Sequence, residues 1–136
     1  MYIKLAILLV ISLFGTTISF ACVLSPNAIY LDESNALQYG FRITSTPNNY
    51  CLGCSDYEFI APLSRNDRAL TEVRINTYYK DEQIALWFPD PQKIPSTNKY
   101  SASLETNESI HHEISFRYPS GRECIYDWFI YTTKKK

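Results

Sequence analysis

Along much of the chain, apolar and polar residues alternate with a period of two. Leu37, Tyr39, Phe41 and Ile43 alternate with Gln38, Gly40, Arg42 and Thr44. Val73, Ile75, Thr77 and Tyr79 alternate with Arg74, Asn76 and Tyr78, and Tyr100, Ala102 and Leu104 with Ser101 and Ser103. Ile110, His112, Ile114, Phe116 and Tyr118 are interleaved with His111, Glu113, Ser115 and Arg117. Each pattern predicts a strand with one face on a core and one toward water. Shorter runs over Ile29–Leu31, Tyr57–Ala61, Ile84–Phe88 and Glu123–Thr132 raise the total to about eight strands. The β-branched and aromatic residues that fill them suit a pleated surface.

The breaks fall where strands should end. Pro26, Pro47, Pro62, Pro89, Pro91, Pro95 and Pro119 all lie between or at the limits of these stretches. Lys80-Asp81-Glu82, Thr106-Asn107-Glu108 and Pro119-Ser120-Gly121 read as turns between neighbouring strands, so that Tyr100 to Thr132 is expected to form a three-stranded antiparallel meander. No stretch after residue 21 keeps a helical period for three turns. The pattern predicts an all-β domain, an antiparallel β-sandwich of about 7–8 strands with an immunoglobulin-like arrangement as its particular form. A small β-barrel is the alternative.

The last strand departs from simple alternation. Cys124, Tyr126, Trp128 and Ile130 share one face, while Ile125, Phe129 and Tyr131 share the other, interrupted only by Asp127. A strand apolar on both sides is expected to be central in its sheet or to have one side covered by a partner.

The N-terminus has a different character. Lys4 precedes an apolar run from Leu5 to Phe14 that only Ser12 interrupts, and Ser19-Phe20-Ala21 places small residues where a signal peptidase reads them. Residues 1–21 are thus expected to be a secretory signal peptide, residues 22–133 one all-β domain and residues 134–136 a basic tail. The expected location is periplasmic or extracellular, with a membrane involved only if Cys22 is lipidated or the signal is left uncleaved. Cys22 follows the cut directly, the position that carries lipid in bacterial lipoproteins. Phe20 fits that motif poorly, which favours a disulfide for Cys22 over lipidation and membrane anchoring.

Export alters the reading of the cysteines. Cys22, Cys51, Cys54 and Cys124 all follow residue 21, and in an oxidising compartment an even count implies two bridges of undetermined pairing. Cys51-Leu52-Gly53-Cys54 has the spacing of a redox pair. However, Ser55-Asp56-Tyr57-Glu58-Phe59 follows as a strand and brings carboxylates that oppose a thiolate. A zinc site from Cys51, Cys54, Cys124 and His111 or His112 is disfavoured, because adjacent strand residues point to opposite faces. His112 lies in the core phase, where a hydrogen-bonded, partly buried imidazole is expected, and His111 should face solvent. No metal or cofactor is assigned.

Catalytic motifs are not evident. The chain has no Gly-x-Ser-x-Gly elbow, no His-Glu-x-x-His helix and no glycine-rich phosphate loop. With 13 basic and 14 acidic residues, the charge is too balanced for a nucleic-acid partner. Asn107-Glu108-Ser109 is an N-glycosylation sequon on an expected turn, relevant in a eukaryotic host. Aromatics are numerous, at 15% of the chain. Tyr78-Tyr79 and Trp87-Phe88 put aromatics on both faces of two neighbouring strands, and at a sheet edge Tyr78 and Trp87 would be partner-binding anchors. The expected function is an exported, non-enzymatic module that binds a protein: an envelope protein, inhibitor or immunity-type protein. A structural subunit of a surface assembly and a thiol-redox protein using Cys51 and Cys54 are the alternatives.

Overall fold

A computed structural model describes residues 27–90, 97–122 and 125–133. The expected signal peptide, Cys22, Cys124 and the basic tail lie outside the described residues. Among the described residues there are ten strands: β1 (Asn27–Tyr30), β2 (Arg42–Pro47), β3 (Ser55–Pro62), β4 (Ser64–Arg65), β5 (Arg68–Ala69), β6 (Glu72–Tyr79), β7 (Glu82–Trp87), β8 (Lys99–Thr106), β9 (Ile110–Pro119) and β10 (Tyr126–Thr132). The fold is all-β. A five-stranded sheet runs β1-β10-β9-β6-β7, a three-stranded sheet runs β2-β3-β8, and β4 with β5 forms a two-residue ribbon. All pairings are antiparallel except β1 with β10, which is parallel.

Both larger sheets contribute to one core. Tyr57, Phe59 and Ala61 of β3 and Tyr100 and Leu104 of β8 are buried with Val73 and Ile75 of β6, Ile114, Phe116 and Tyr118 of β9 and Phe129 and Tyr131 of β10. Rings meet across the sheets: Phe59 lies 5.5 Å from Tyr131, and Tyr100 lies 6.1 Å from Phe116. Such tilted and edge-on contacts suit the ring quadrupole and add to the burial of apolar area. The buried Tyr118 hydroxyl donates to the Pro62 carbonyl at 2.6 Å, so it enters the core with its polar tip satisfied. The prolines behave as expected, since Pro47, Pro62 and Pro119 are the final residues of β2, β3 and β9.

Two expectations fail. Leu37 to Ile43 was expected as one strand, but Ala36–Tyr39 is a turn of 3₁₀ helix, and β2 begins at Arg42. The Asp32 carboxylate accepts the backbone N–H groups of Ser34 and Asn35 at 2.8 and 2.9 Å, starting the turn. Gly40, at φ +85°, ends it by donating to the Ala36 and Leu37 carbonyls. Leu37 consequently points outward, at 71% exposure, whereas Phe41 is buried.

The meander is the second failure. β9 and β10 form the expected hairpin, but β8 pairs with β3 in the opposite sheet. Both edges of β9 are already occupied, by β10 and β6, so none is free for β8. The Asn107 turn, in which its side-chain oxygen accepts from the Ser109 and Ile110 amides at 2.8 and 2.7 Å, therefore connects two sheets.

The two-faced last strand occupies the middle of its sheet, the first of its two expected placements. β10 is flanked by β1 and β9. Phe129 and Tyr131 enter the core, and Trp128 is covered on the outer face at 9% exposure.

Candidate functional site

The Cys51–Cys54 pair closes a disulfide at the tip between β2 and β3. Gly53 holds φ +77°, and a Cβ there would come within 2.7 Å of Glu108 Cγ, so the loop depends on glycine. Cys54 is buried and Cys51 exposed. β3 starts at Ser55, directly after the bridge, so no helix N-terminus follows to favour a thiolate. The ligand atoms of Cys51, Cys54 and Glu105 lie within 4.8 Å of one another. The two sulfurs are bonded to each other, so they are not thiolate ligands.

The histidines diverge as the strand period demands. His112 is buried at 8% exposure, with Nδ1 3.0 Å from the Thr77 hydroxyl and Nε2 2.8 Å from the Glu105 carbonyl. A carbonyl only accepts, so Nε2 carries the proton. This bond runs from β9 to β8 and helps fasten the two sheets. His111, on the opposite face, stacks on Tyr78 with ring centroids 4.9 Å apart and planes 6° from parallel. Burial, with the Glu113 charge adding to it, raises the pKa of Tyr78.

Tyr78 and Trp87 do belong to an edge hairpin, because β7 is the last strand of the five-stranded sheet. They are not brought together. Tyr78 pairs with Gln83 and Trp87 with Ile75, so they sit toward opposite ends of the hairpin and on opposite faces. Tyr78 is half-buried against His111, while Trp87 is 49% exposed. The hairpin turn has both central residues in the left-handed region, Lys80 at φ +46° and Asp81 at φ +71°, as a two-residue type I′ loop requires. A register shift opposite Thr77/Tyr78 leaves Ile84 as an extra residue in β7.

Every residue of β7 is exposed. Ile84, Leu86 and Trp87, with Phe88 just beyond, retain 47–56% exposure. Among the described elements β7 packs substantially only on β6, because the facing sheet has just three strands. Among the described residues, nothing covers either face of this strand.

Beside it lies a cluster that single-strand periodicity does not reveal. On the outer face, Arg117 sits 4.7 Å from the Tyr126 ring and 5.6 Å from Trp128, and Arg74 sits 4.8 Å from Trp128 and 5.5 Å from Phe88. Glu72 joins the two cations, 3.0 Å from Arg74 and 3.1 Å from Arg117. Rings and guanidiniums thus alternate from Tyr126 to Phe88, and the arginine stems and planes cover the outer side of Trp128. The available signal was the outward phase of Glu72, Arg74 and Arg117, facing a last strand apolar on both sides. The outer face of the smaller sheet contrasts with it: Thr44, Thr46, Asp56, Glu58, Ser101, Ser103 and Glu105 leave it polar.

No family model, curated protein or solved structure matches the chain.

Proposed function

We propose that the chain is an exported, non-enzymatic binding module, built as an immunoglobulin-like sandwich, that recognises a protein partner along the β7 edge. Support for the sandwich comes from the strand order. The β6–β7 and β9–β10 hairpins lie in one sheet, whereas the β3–β6, β7–β8 and β8–β9 connections pass between sheets. Export rests on the leader-like residues 1–21 and agrees with the Cys51–Cys54 bridge.

One observation carries the binding reading: an uncharged apolar run, Ile84 to Phe88, exposed on both faces at a sheet edge that no described strand covers. Proteins normally protect such an edge with lysine, proline or a charged inward residue, because it templates pairing with another chain. Here the bulge at Ile84 is the only such device within the run. An added strand would satisfy the free backbone groups of β7, while Ile84, Leu86 and Trp87 would supply apolar contacts.

The test is photo-crosslinking in the native compartment, with benzoylphenylalanine in place of Leu86 and, as control, in place of Ser101 on the polar sheet. A discrete adduct from position 86 alone, lost on Ile84→Lys, is expected. Identical adducts from both positions, or none from position 86, would overturn the proposal. An adduct of twice the protein's own mass would instead favour the surface-assembly reading, which the same open edge also fits.

A further inference from the structure

At the end of the domain where the β4–β5 ribbon meets the β9–β10 turn, two arginines share one cavity with a single carboxylate, Asp127. Arg65 and Arg68 are direct cross-strand partners. Asn66 at φ +46° and Asp67 at φ +61° close a two-residue type I′ turn between them, fixing the register. Like charges directly opposite on paired strands are destabilising. Neither arginine forms a salt bridge among the described residues.

Their planes are nevertheless positioned. The Arg65 guanidinium lies 4.5 Å from the Phe129 ring centroid and 6.0 Å from that of Tyr118. Arg68 lies against the Gly121 backbone, where φ is +98° and a Cβ would collide with the guanidinium. Between them opens a cavity of about 200 Å³ lined by Arg65, Asn66, Arg68, Tyr118, Ser120 and Asp127, with Pro119 at its rim. The Ser120 hydroxyl is buried there and has no hydrogen-bond partner among the described residues. Buried hydroxyls are normally satisfied, and an orphan beside two guanidiniums that share one carboxylate calls for an acceptor.

From this we infer that the cavity is a binding site for a carboxylate group, independent of the β7 edge. The guanidinium forks of Arg65 and Arg68 donate to the two oxygens, and the Ser120 hydroxyl donates a further bond. The Tyr118 hydroxyl is already committed to the Pro62 carbonyl. Asp127, which accepts from the Asn27 amide at 3.5 Å, sets the charge of the ligand. Two guanidiniums against one carboxylate leave a single positive charge, matched by a monoanion and exceeded by a phosphate dianion. The volume admits a small acid or the terminal carboxylate of a peptide.

The experiment is an NMR titration of the ¹⁵N-labelled protein, reading the arginine Nε–H signals at constant ionic strength in chloride. Probes are sodium acetate, sodium phosphate, and a glycine tripeptide as free acid and as amide. Acetate is expected to shift the Arg65 and Arg68 signals saturably. Arg68→Gln should weaken that binding about tenfold, and Ser120→Ala should weaken it several-fold, as loss of charge-assisted bonds implies. Neither Arg68 nor Ser120 has a side-chain hydrogen bond or ion pair among the described residues, so an unchanged amide spectrum elsewhere will show that the fold is kept. Tighter binding of the tripeptide acid than of acetate, with none of the amide, identifies a chain terminus as the source. Acetate binding as tight as the tripeptide acid identifies a free small acid. No saturable shift beyond that of chloride, or acetate binding unaltered in Arg68→Gln, overturns the site. Phosphate binding as tightly as acetate overturns its carboxylate assignment. Leu86→Lys at the β7 edge should leave the titration unchanged, so failure of either proposal is read separately.

Discussion

Replacing Glu72 by Gln tests whether the outer-face ladder holds the five-stranded sheet together or merely decorates it. The substitution keeps size and one acceptor oxygen but removes the charge that two arginines share. Glu72 reaches Arg74 at 3.0 Å and Arg117 at 3.1 Å, with side-chain exposures of 19, 37 and 24%. A charge-assisted hydrogen bond in a sheltered setting is worth about 1.5–3 kcal/mol. Exposed ion pairs typically contribute only about 0.2–1 kcal/mol. Side chains 19–37% exposed place each contact between these ranges, at ~1 kcal/mol, or about 2 kcal/mol for both. The variant also leaves Arg74 and Arg117 on either side of Trp128 with no charge between them, so the penalty should exceed that of a lone surface pair. Urea unfolding of the two proteins reads the difference as a change in midpoint, and thermal unfolding should show a loss of roughly 10 °C for a domain of this size. Most of the penalty should fade in 1 M NaCl, where the screening length falls to about 3 Å. A loss below about 0.5 kcal/mol, or one indifferent to salt, would refute the reasoning and reduce the ladder to solvated side chains.

Two further perturbations probe other links. Lys80 and Asp81 hold φ values of +46° and +71°, which side-chain-bearing residues adopt reluctantly. Converting the pair to Asn-Gly should stabilise the hairpin by about 1 kcal/mol, seen as a higher urea midpoint, and a lower midpoint would contradict the type I′ assignment. Burial, with Tyr57, Glu33 and Asp32 adding to it, pushes the Tyr131 hydroxyl up to about 12, and burial also raises Tyr118 despite the opposing pull of Arg65. An unfolded tyrosine ionises near 10, so the folded state holds these protons more tightly. Stability should therefore be insensitive to these groups below pH 10 and fall as pH rises from 10 through 12, because the unfolded chain gives up its protons first. Tyr131→Phe should flatten that fall in the urea midpoint. An equally steep fall in the variant would show that the Tyr131 hydroxyl is not its source.

The strand period was legible because it is local. Alternation places Val73, Ile75, Ile114, Phe116 and Tyr118 on one face, and burial bears this out at each of them. The same rule separated His111 from His112 and pointed the two-faced last strand to a central or covered place. Local chemistry could also have exposed the 3₁₀ turn, since Asp32-Glu33-Ser34-Asn35 is a turn sequence leading into it and Gly40 a stop. The apolar alternation from Leu37 to Ile43 concealed both.

What the tertiary structure alone decided is who pairs with whom. A period of two states which face a residue takes, but every strand has two edges, and nothing within a strand names the neighbour at either. β8 therefore joined β3 across the core, because β6 and β10 had already filled both edges of β9. The candidate surfaces share this origin. The Glu72–Arg74–Arg117 cluster, the facing Arg65 and Arg68, and the open apolar edge of β7 each exist because a sheet order set distant residues side by side or left a strand without a neighbour. Sequence determined the all-β class and the inward faces through short-range sterics and burial. Sheet order, a long-range choice among open edges, created the sites.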